Sequence, residues 1–324
     1  MFVTTFTTFL AADGYLQYRD ILKVSCCPCV IISIAGPYLQ IAGAVFVEVF
    51  STQIFTSYIH MGGPGDPFET KQVYYVAKVF TAVAQAVKSL QETAYYLLPR
   101  SQNQPDFRHF RSPSPTHFPH APFPGTLIFQ GRYMYDGRDP ETFRRSIFLA
   151  DYEGKTVVVK FVERYSREAH ENLATVGLAP ALHFCSELVG GVTMVVMDLV
   201  IARNAHSEFR YHHQPQTVLD DVKRGLERLH NAQLVHGDVR RANILVMKST
   251  SRDGQSSKEE WRGQLIDFDW SGNFATVTRP GVRYPPTLNT GGEIQWARGV
   301  EPGGEIRPNH DLEMLDMIIR GIDR

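Results

Sequence analysis

The sequence predicts an α+β chain of about two domains, with a small antiparallel sheet and a helical part in its C-terminal two thirds. Three observations carry this prediction. The chain has 324 residues, and a domain takes roughly 100–200. Valine-rich strand patterns come first in the C-terminal part and amphipathic helical patterns later, which is an α+β order. A proline-, serine- and histidine-rich stretch over 100–124 separates that part from an apolar block over 1–99. The block, strands followed by one long helix, reads as an N-terminal α/β accessory domain.

Composition sets outer bounds. Apolar residues make up 43% and charged residues 21%, enough apolar material to bury a core. The 33 basic and 34 acidic residues leave a net charge of -1. So even a balance gives no electrostatic reason to expect nucleic acid or an anionic membrane as partner. Four cysteines are too few for a secreted disulfide framework. No Asn-x-Ser/Thr acceptor occurs, and the opening MFVTTFTTFL lacks a basic n-region, so no secretory signal is read. The expectation is an intracellular protein, cytoplasmic or nuclear.

In the first block, Val24 to Val47 is apolar over a length that could span a bilayer. Pro28, the Gly36-Pro37 pair and Gly43 interrupt it, and β-branched runs flank the turn signal, so it reads as a buried hairpin. Cys26, Cys27 and Cys29 offer only three sulfurs where zinc takes four ligands, so buried structural thiols are expected. From Thr70 to Leu98 apolar residues recur at three- and four-residue spacing (Val73, Val76, Phe80, Val83, Val87), which predicts a helix packed on those strands. Residues 100–124 show no hydrophobic period and read as a linker. Ser112 and Ser114 each precede proline and are candidate phosphorylation sites, beside the simpler reading of an inert linker.

The second part opens with a hairpin: SIFLA, the turn Asp151 to Gly154, then KTVVVKFV. A helix over Arg167 to Val176 ends at Gly177, and TMVVMDLV (Thr193 to Val200) is a further strand. Thr217 to Asn231 is an amphipathic helix with Val218, Leu219, Val222, Leu226 and Leu229 on one face. The segment LVHGDVRRANILV then sets His236, Asp238, Arg240 and Asn243 in a polar loop between two apolar anchors. Asp267 follows in LIDFDW behind another anchor. The carboxylate of Asp267 and the amide oxygen of Asn243 suit Mg²⁺, which takes few protein oxygens alongside phosphate oxygens. Asp238 can orient a hydroxyl and accept its proton, and Lys160 in VVVKF can hold an anionic phosphate. Lys248 to Arg262 is polar and reads as a solvated excursion.

Together these residues resemble the protein-kinase-like superfamily. His236, Asp238 and Asn243 fill H-x-D-x-x-x-x-N, Lys160 stands at the strand lysine, and Asp267-Phe268 match D-F-G with Asp269 at the glycine. The HGD and DFD forms look like kinase-like proteins of mushroom-forming fungi. The resemblance covers 125–324 and implies a two-lobed domain, a small antiparallel sheet lobe plus a short helical lobe. It implies ATP and Mg²⁺ as cofactors, Asp238 as catalytic base, and Asn243 and Asp267 as metal ligands. Lys160 would bind the α/β-phosphates, paired with Glu168 or, as the alternative, Glu171. Arg240 would neutralise the transferred phosphate. Met197 to Leu199 would form the adenine hinge. His236 is expected to be a structural hydrogen-bonder, and Asp311, at the start of LEMLDMII, the buried aspartate that anchors the loop.

The sequence departs from that pattern in three ways. No GxGxxG precedes Lys160; apart from Gly154 in the hairpin turn, Gly131 and Gly137 lie well upstream. Gly237 replaces the arginine that reads a phosphorylated activation loop. The helical lobe is short. The expected function is an ATP- and Mg-dependent phosphotransferase acting on Ser/Thr hydroxyls of an unidentified protein. The alternatives are a pseudokinase, or ATP-binding scaffold, and a small-molecule kinase of the aminoglycoside or choline type.

Overall fold

The computed structural model describes residues 25–47, 49–61, 69–95, 112–113, 115, 118–120, 122–133, 147–209, 214–253, 256–277, 279–292 and 294–322. Most of the expected linker, with Ser114, lies outside the described residues, as does Gly137. The chain divides into two compact units, Met1–Val162 with Ser186–Met194, and Glu163–Cys185 with Val195–Arg324.

In the first unit, β1 (Cys29–Ala35) and β2 (Tyr38–Val47) form the hairpin predicted around Gly36-Pro37, paired from Cys29↔Ala44 to Ala35↔Tyr38. Gly36 takes a left-handed φ of 58°, which its missing Cβ allows. Strands β3 (Val49–Ile54) and β4 (Ile59–His60) both pair with β2. The hairpin is not buried throughout, because Ile32 and Ile34 of β1 are exposed. Helix α1 (Glu69–Ser89) ends in a π-helical turn, Leu90–Tyr95. It packs a narrower stripe than the sequence predicts. Val76, Val79 and Val83 meet Leu39, Ile41 and Ile59, while Val73, Phe80 and Val87 stay exposed. No helix among the described residues is long and apolar enough to cross a membrane.

The second sheet has the order β5-β6-β7-β9-β8, and the division between units passes through its last two strands, β8 (Leu182–Glu187) and β9 (Thr193–Asp198). Strands β5 (Leu127–Arg132), β6 (Ile147–Tyr152) and β7 (Lys155–Val162) run antiparallel. The β6–β7 turn has φ of 52° at Glu153 and 79° at Gly154, the double positive φ that a two-residue hairpin turn demands. Asp151 Oδ1 accepts from the Gly154 N–H at 3.1 Å and closes it. Phe148 packs edge-on against Phe129 and Phe161. Val157 and Val159 of β7 are fully buried.

In the second unit, α2 (Arg167–Ala174) is capped by Ser166, whose Oγ accepts from the Ala169 N–H at 3.3 Å. The predicted face of α4 (Gln216–Asn231) is buried at all five positions. Bare Gly225 on α4 lets Leu265 and Leu173 come close, since a Cβ there would lie 3.4 Å from Leu265 Cδ1. Short β10 (Arg203–Asn204), α3 (Ala205–Glu208) and β11 (Leu234–Val235) complete the approach to the loop.

Lys248 and Ser249 are exposed, as a solvated excursion would be, but the segment from Lys248 to Arg262 is paired backbone. It belongs to a hairpin of β12 (Ile244–Asp253) and β13 (Ser256–Leu265), in register from Ile244↔Leu265 to Asp253↔Ser256. Asp221 of α4 holds this hairpin. Its Oδ2 accepts from the Gly263 N–H at 3.0 Å, and its carboxylate also meets Arg262 and Arg224. Strand β14 (Gly272–Asn273) pairs with β11. Helix α5 (Pro308–Arg320) starts on Pro308, where the missing N–H costs nothing, and stops at Gly321 with φ 70°. Antiparallel sheets packed with separate helices make this the α+β arrangement the sequence predicts, although strands and helices alternate along the chain.

Asp221→Ala strips the buried Gly263 N–H of its acceptor and frees two arginines that keep solvent access. A loss of about 1–3 kcal/mol is expected, read as a lower urea midpoint at unchanged slope.

Candidate active site

The polar loop over 236–243 hangs between β11 and β12, both anchored by buried apolar residues: Leu234 and Val235 before it, Ile244 after it, and Val239 within it. Asp311 fixes its turn. Fully enclosed at the start of α5, its carboxylate accepts from the His236 N–H at 2.9 Å and the Gly237 N–H at 2.8 Å. His230 of α4 adds Nε2 to Oδ2 at 3.0 Å. Asp311 therefore joins α4, α5 and the loop.

Gly237 has φ 83°, and a Cβ there would lie 3.0 Å from both Ile306 Cδ1 and the Trp270 carbonyl oxygen. The turn that presents two adjacent N–H groups to Asp311 strains and crowds any side chain, which is a physical reason for HGD in this chain. His236 is buried and structural in its contacts. Its Nδ1 accepts from the Asp238 N–H at 3.3 Å, which puts the proton on Nε2, facing the Ile266 carbonyl at 3.2 Å. Ser271 Oγ donates to the His236 carbonyl at 2.8 Å.

Asp238 and Asn243 meet directly. Asn243 Nδ2 donates to the Asp238 backbone oxygen at 2.9 Å and to its Oδ2 at 2.6 Å. With Nδ2 engaged, Oδ1 is the atom of Asn243 left to ligate. The Ile266 N–H donates to the Asn243 carbonyl at 3.0 Å, so Asp267 follows one residue beyond a fixed point on Asn243. Asp267 itself holds φ 71°, an uncommon value for a non-glycine residue and one found at functional turns. Asn243 and Asp267 thus stand on adjoining loops, and an amide oxygen with a carboxylate is the kind of donor set a hard cation takes alongside phosphate oxygens. Among the described residues no cluster of three or more His, Cys, Asp or Glu is placed to hold a metal by itself.

Arg240 grips Asp238 with a planar fork, Nε to Oδ1 and Nη2 to Oδ2, both 2.5 Å. Burial works against the guanidinium's charge. The Asp238 carboxylate, its hydrogen bonds and Asp267 outweigh that, and the Arg240 pKa is raised above its ordinary value. Its carbon lies 5.7 Å from the Trp296 ring centroid. Trp296 adjoins Trp270 and Tyr284, and the Tyr284 hydroxyl pairs with His310 Nδ1 at 3.2 Å. Trp270 closes the DFDW segment, while Trp296 and Tyr284 belong to no sequence motif.

Phe268 is buried beside the loop, its ring stacked on His170 at 4.7 Å. His170 Nδ1 pairs with Tyr165 Oη at 2.7 Å and Nε2 with the Pro180 carbonyl at 2.8 Å. The Ser166 N–H donates to the Phe268 carbonyl at 3.0 Å, tying the start of α2 to the D-F-D segment. Glu168 and Glu171 both point to solvent on α2, and Glu171 pairs with Arg167 at 2.7 Å. Met197 is buried at the end of β9, and Leu199 follows it, half-buried. The Asp198 N–H between them donates to the Ala181 carbonyl at 2.9 Å. Lys160 belongs to the other compact unit. It is buried on β7, opposite Ile147 of β6, rather than turned to solvent as an isolated strand lysine would be.

No family model matches the chain, and no curated protein matches it. Among solved structures it is similar to the kinase PK-1 of Cydia pomonella granulovirus, at 16% identity and a TM-score of 0.40. That match covers 55% of this chain and 63% of PK-1, so the chain spans less than two thirds of that kinase.

Two variants probe the loop anchor. Asp311→Asn keeps one acceptor but turns an amide N–H toward a backbone N–H, at an expected cost of about 1–3 kcal/mol by chemical denaturation. Gly237→Ala forces a left-handed backbone on alanine and crowds Ile306, for a loss of about 1–3 kcal/mol in the same measurement.

Proposed function

We propose that this protein is an ATP- and Mg²⁺-dependent phosphotransferase that acts on a protein Ser/Thr hydroxyl, with its kinase-like domain over 125–324, an accessory domain over 1–99 and a linker over 100–124. The observation that supports the reading is the hydrogen-bonded set Asp238–Asn243–Ile266, which puts Asp238, the Asn243 amide and, one residue beyond Ile266, Asp267 on adjoining loops, with the turn of the first held by buried Asp311. We further place the chain with the HGD- and DFD-bearing kinase-like proteins of mushroom-forming fungi.

In this reading Asp238 orients the acceptor hydroxyl and takes its proton as the oxygen attacks the γ-phosphorus and ADP departs. A carboxylate has about four acceptor positions. Arg240 and Asn243 use three of them on Asp238, leaving one on Oδ1 for the hydroxyl. Asn243 Oδ1 and Asp267 hold the magnesium ion, which when bound neutralises phosphate charge. Lys160 is assigned the α/β-phosphates with Glu168 as its partner, Met197 and Leu199 the adenine, and Arg240 the transferred phosphate. Arginine at that point is not equivalent to lysine, because its fork holds a plane as well as a charge.

Asp238→Asn removes the base while keeping the size of the side chain. Phosphoryl transfer is expected to fall by about 10²–10⁴-fold, while Mg-ATP continues to raise the melting temperature. Undiminished transfer in the variant would take Asp238 out of this role. No thermal shift of the wild-type protein at millimolar Mg-ATP would overturn nucleotide binding itself.

A further inference from the structure

We propose that Trp296 is a positioning residue that sets Arg240 on Asp238 and so fixes the direction from which an acceptor hydroxyl can reach the base. This deepens the phosphotransferase reading and rests on it. Arg240 makes both of its described hydrogen bonds to the two oxygens of Asp238, so the plane of the guanidinium sets the plane of the carboxylate. A two-bond fork leaves the arginine head free to rock unless something holds its face. The Trp296 ring, 5.7 Å from the guanidinium carbon, is the aromatic face available to it.

Trp296 is itself held on several sides. Its Nε1–H donates to the Asn289 carbonyl at 3.1 Å. Its ring leans on Trp270 at 5.8 Å and meets Tyr284 nearly edge-on at 6.4 Å. Two residues on, the Arg298 N–H donates to Glu313 Oε2 of α5 at 3.1 Å, which ties this stretch to the helix that carries Asp311. One helix thus governs the loop twice. Asp311 fixes the backbone at His236 and Gly237, and the 289–298 stretch fixes the side chain of Arg240. The single acceptor position left on Asp238 Oδ1 points wherever that fork places it, so Trp296 reaches the reacting hydroxyl through Arg240 without touching it.

The test is a kinetic double-mutant cycle of Trp296→Met with Arg240→Lys, lysine being unable to form the fork. Trp296→Met is expected to lower kcat about tenfold, with KM for ATP within about twofold, because nucleotide binding does not pass through the fork. Trp296→Phe, which keeps an aromatic face, is expected to recover most of kcat. Should Trp296→Met fail to fold, Trp296→Leu, which also removes that face, takes its place in the cycle. In the Arg240→Lys background either substitution should cost less than twofold further. Equal losses in both backgrounds, or a loss that falls on KM, would overturn the proposal. Should the wild-type protein transfer no phosphate, the phosphotransferase reading fails separately. The melting temperatures of the same four proteins then decide on Trp296: shifts that do not add support its hold on Arg240, and additive shifts overturn it.

Discussion

The carboxylate of Asp311 is the constraint from which the rest of the site follows. A buried aspartate is costly unless its oxygens are satisfied, and here two consecutive backbone N–H groups and an imidazole satisfy them. The arrangement works in both directions. Asp311 needs the N–H groups of a sharp turn, and the turn at His236-Gly237 needs an acceptor for donors that point away from water. Once that turn is fixed, His236 can bridge its own loop and Ile266, and Asp238 projects with both oxygens directed. Helix α5, with its proline start and left-handed glycine stop, is the rigid mount for all of it.

Around that mount the polar groups form a closed chain rather than a set of separate contacts. Asn243 binds Asp238, Ile266 binds Asn243, and Asp267 follows from Ile266. Ser166 reaches the Phe268 carbonyl, so the first turn of α2 is coupled to the same segment. Phe268 lies between the rings of His170 and His236, each hydrogen-bonded elsewhere. A displacement at any one of these residues has to be absorbed by its neighbours, since packed interiors leave no slack.

Much of this was legible in the sequence, for identifiable reasons. Apolar spacing marked the buried face of α4, because burial on one side of a helix leaves a periodic trace. The loop residues were legible because their spacing between apolar anchors is tight. What was missed lacked such a trace. The β12–β13 hairpin is polar along most of its length, and its register with Asp221 depends on contacts far apart in sequence. The exposed face of β1 and the half-used stripe of α1 looked apolar in sequence but are not covered by described residues, since hydrophobic patterning reports what could be buried rather than what is. Trp296 and Tyr284 lie in a stretch rich in proline and glycine with no period, where only coordinates bring aromatic rings together. Gly237 stands where an arginine is usual, and its positive φ adds a second reason for glycine, a backbone position that strains and crowds any side chain.

The hairpin also explains how Asn243 and Asp267, 24 residues apart in sequence, can stay aligned. Ile244 pairs with Leu265 at its base, so the spacing between Asn243 and Asp267 is set by a single rung of the ladder. Whatever is added at the far end, beyond Asp253 and Ser256, lengthens the arm without moving that rung, and loop-closure entropy grows only slowly with length. The chain thus has a graft point beside the 236–243 loop, where a foreign peptide or reporter could be spliced in while the spacing of Asn243 and Asp267 stays fixed by two facing aliphatic residues.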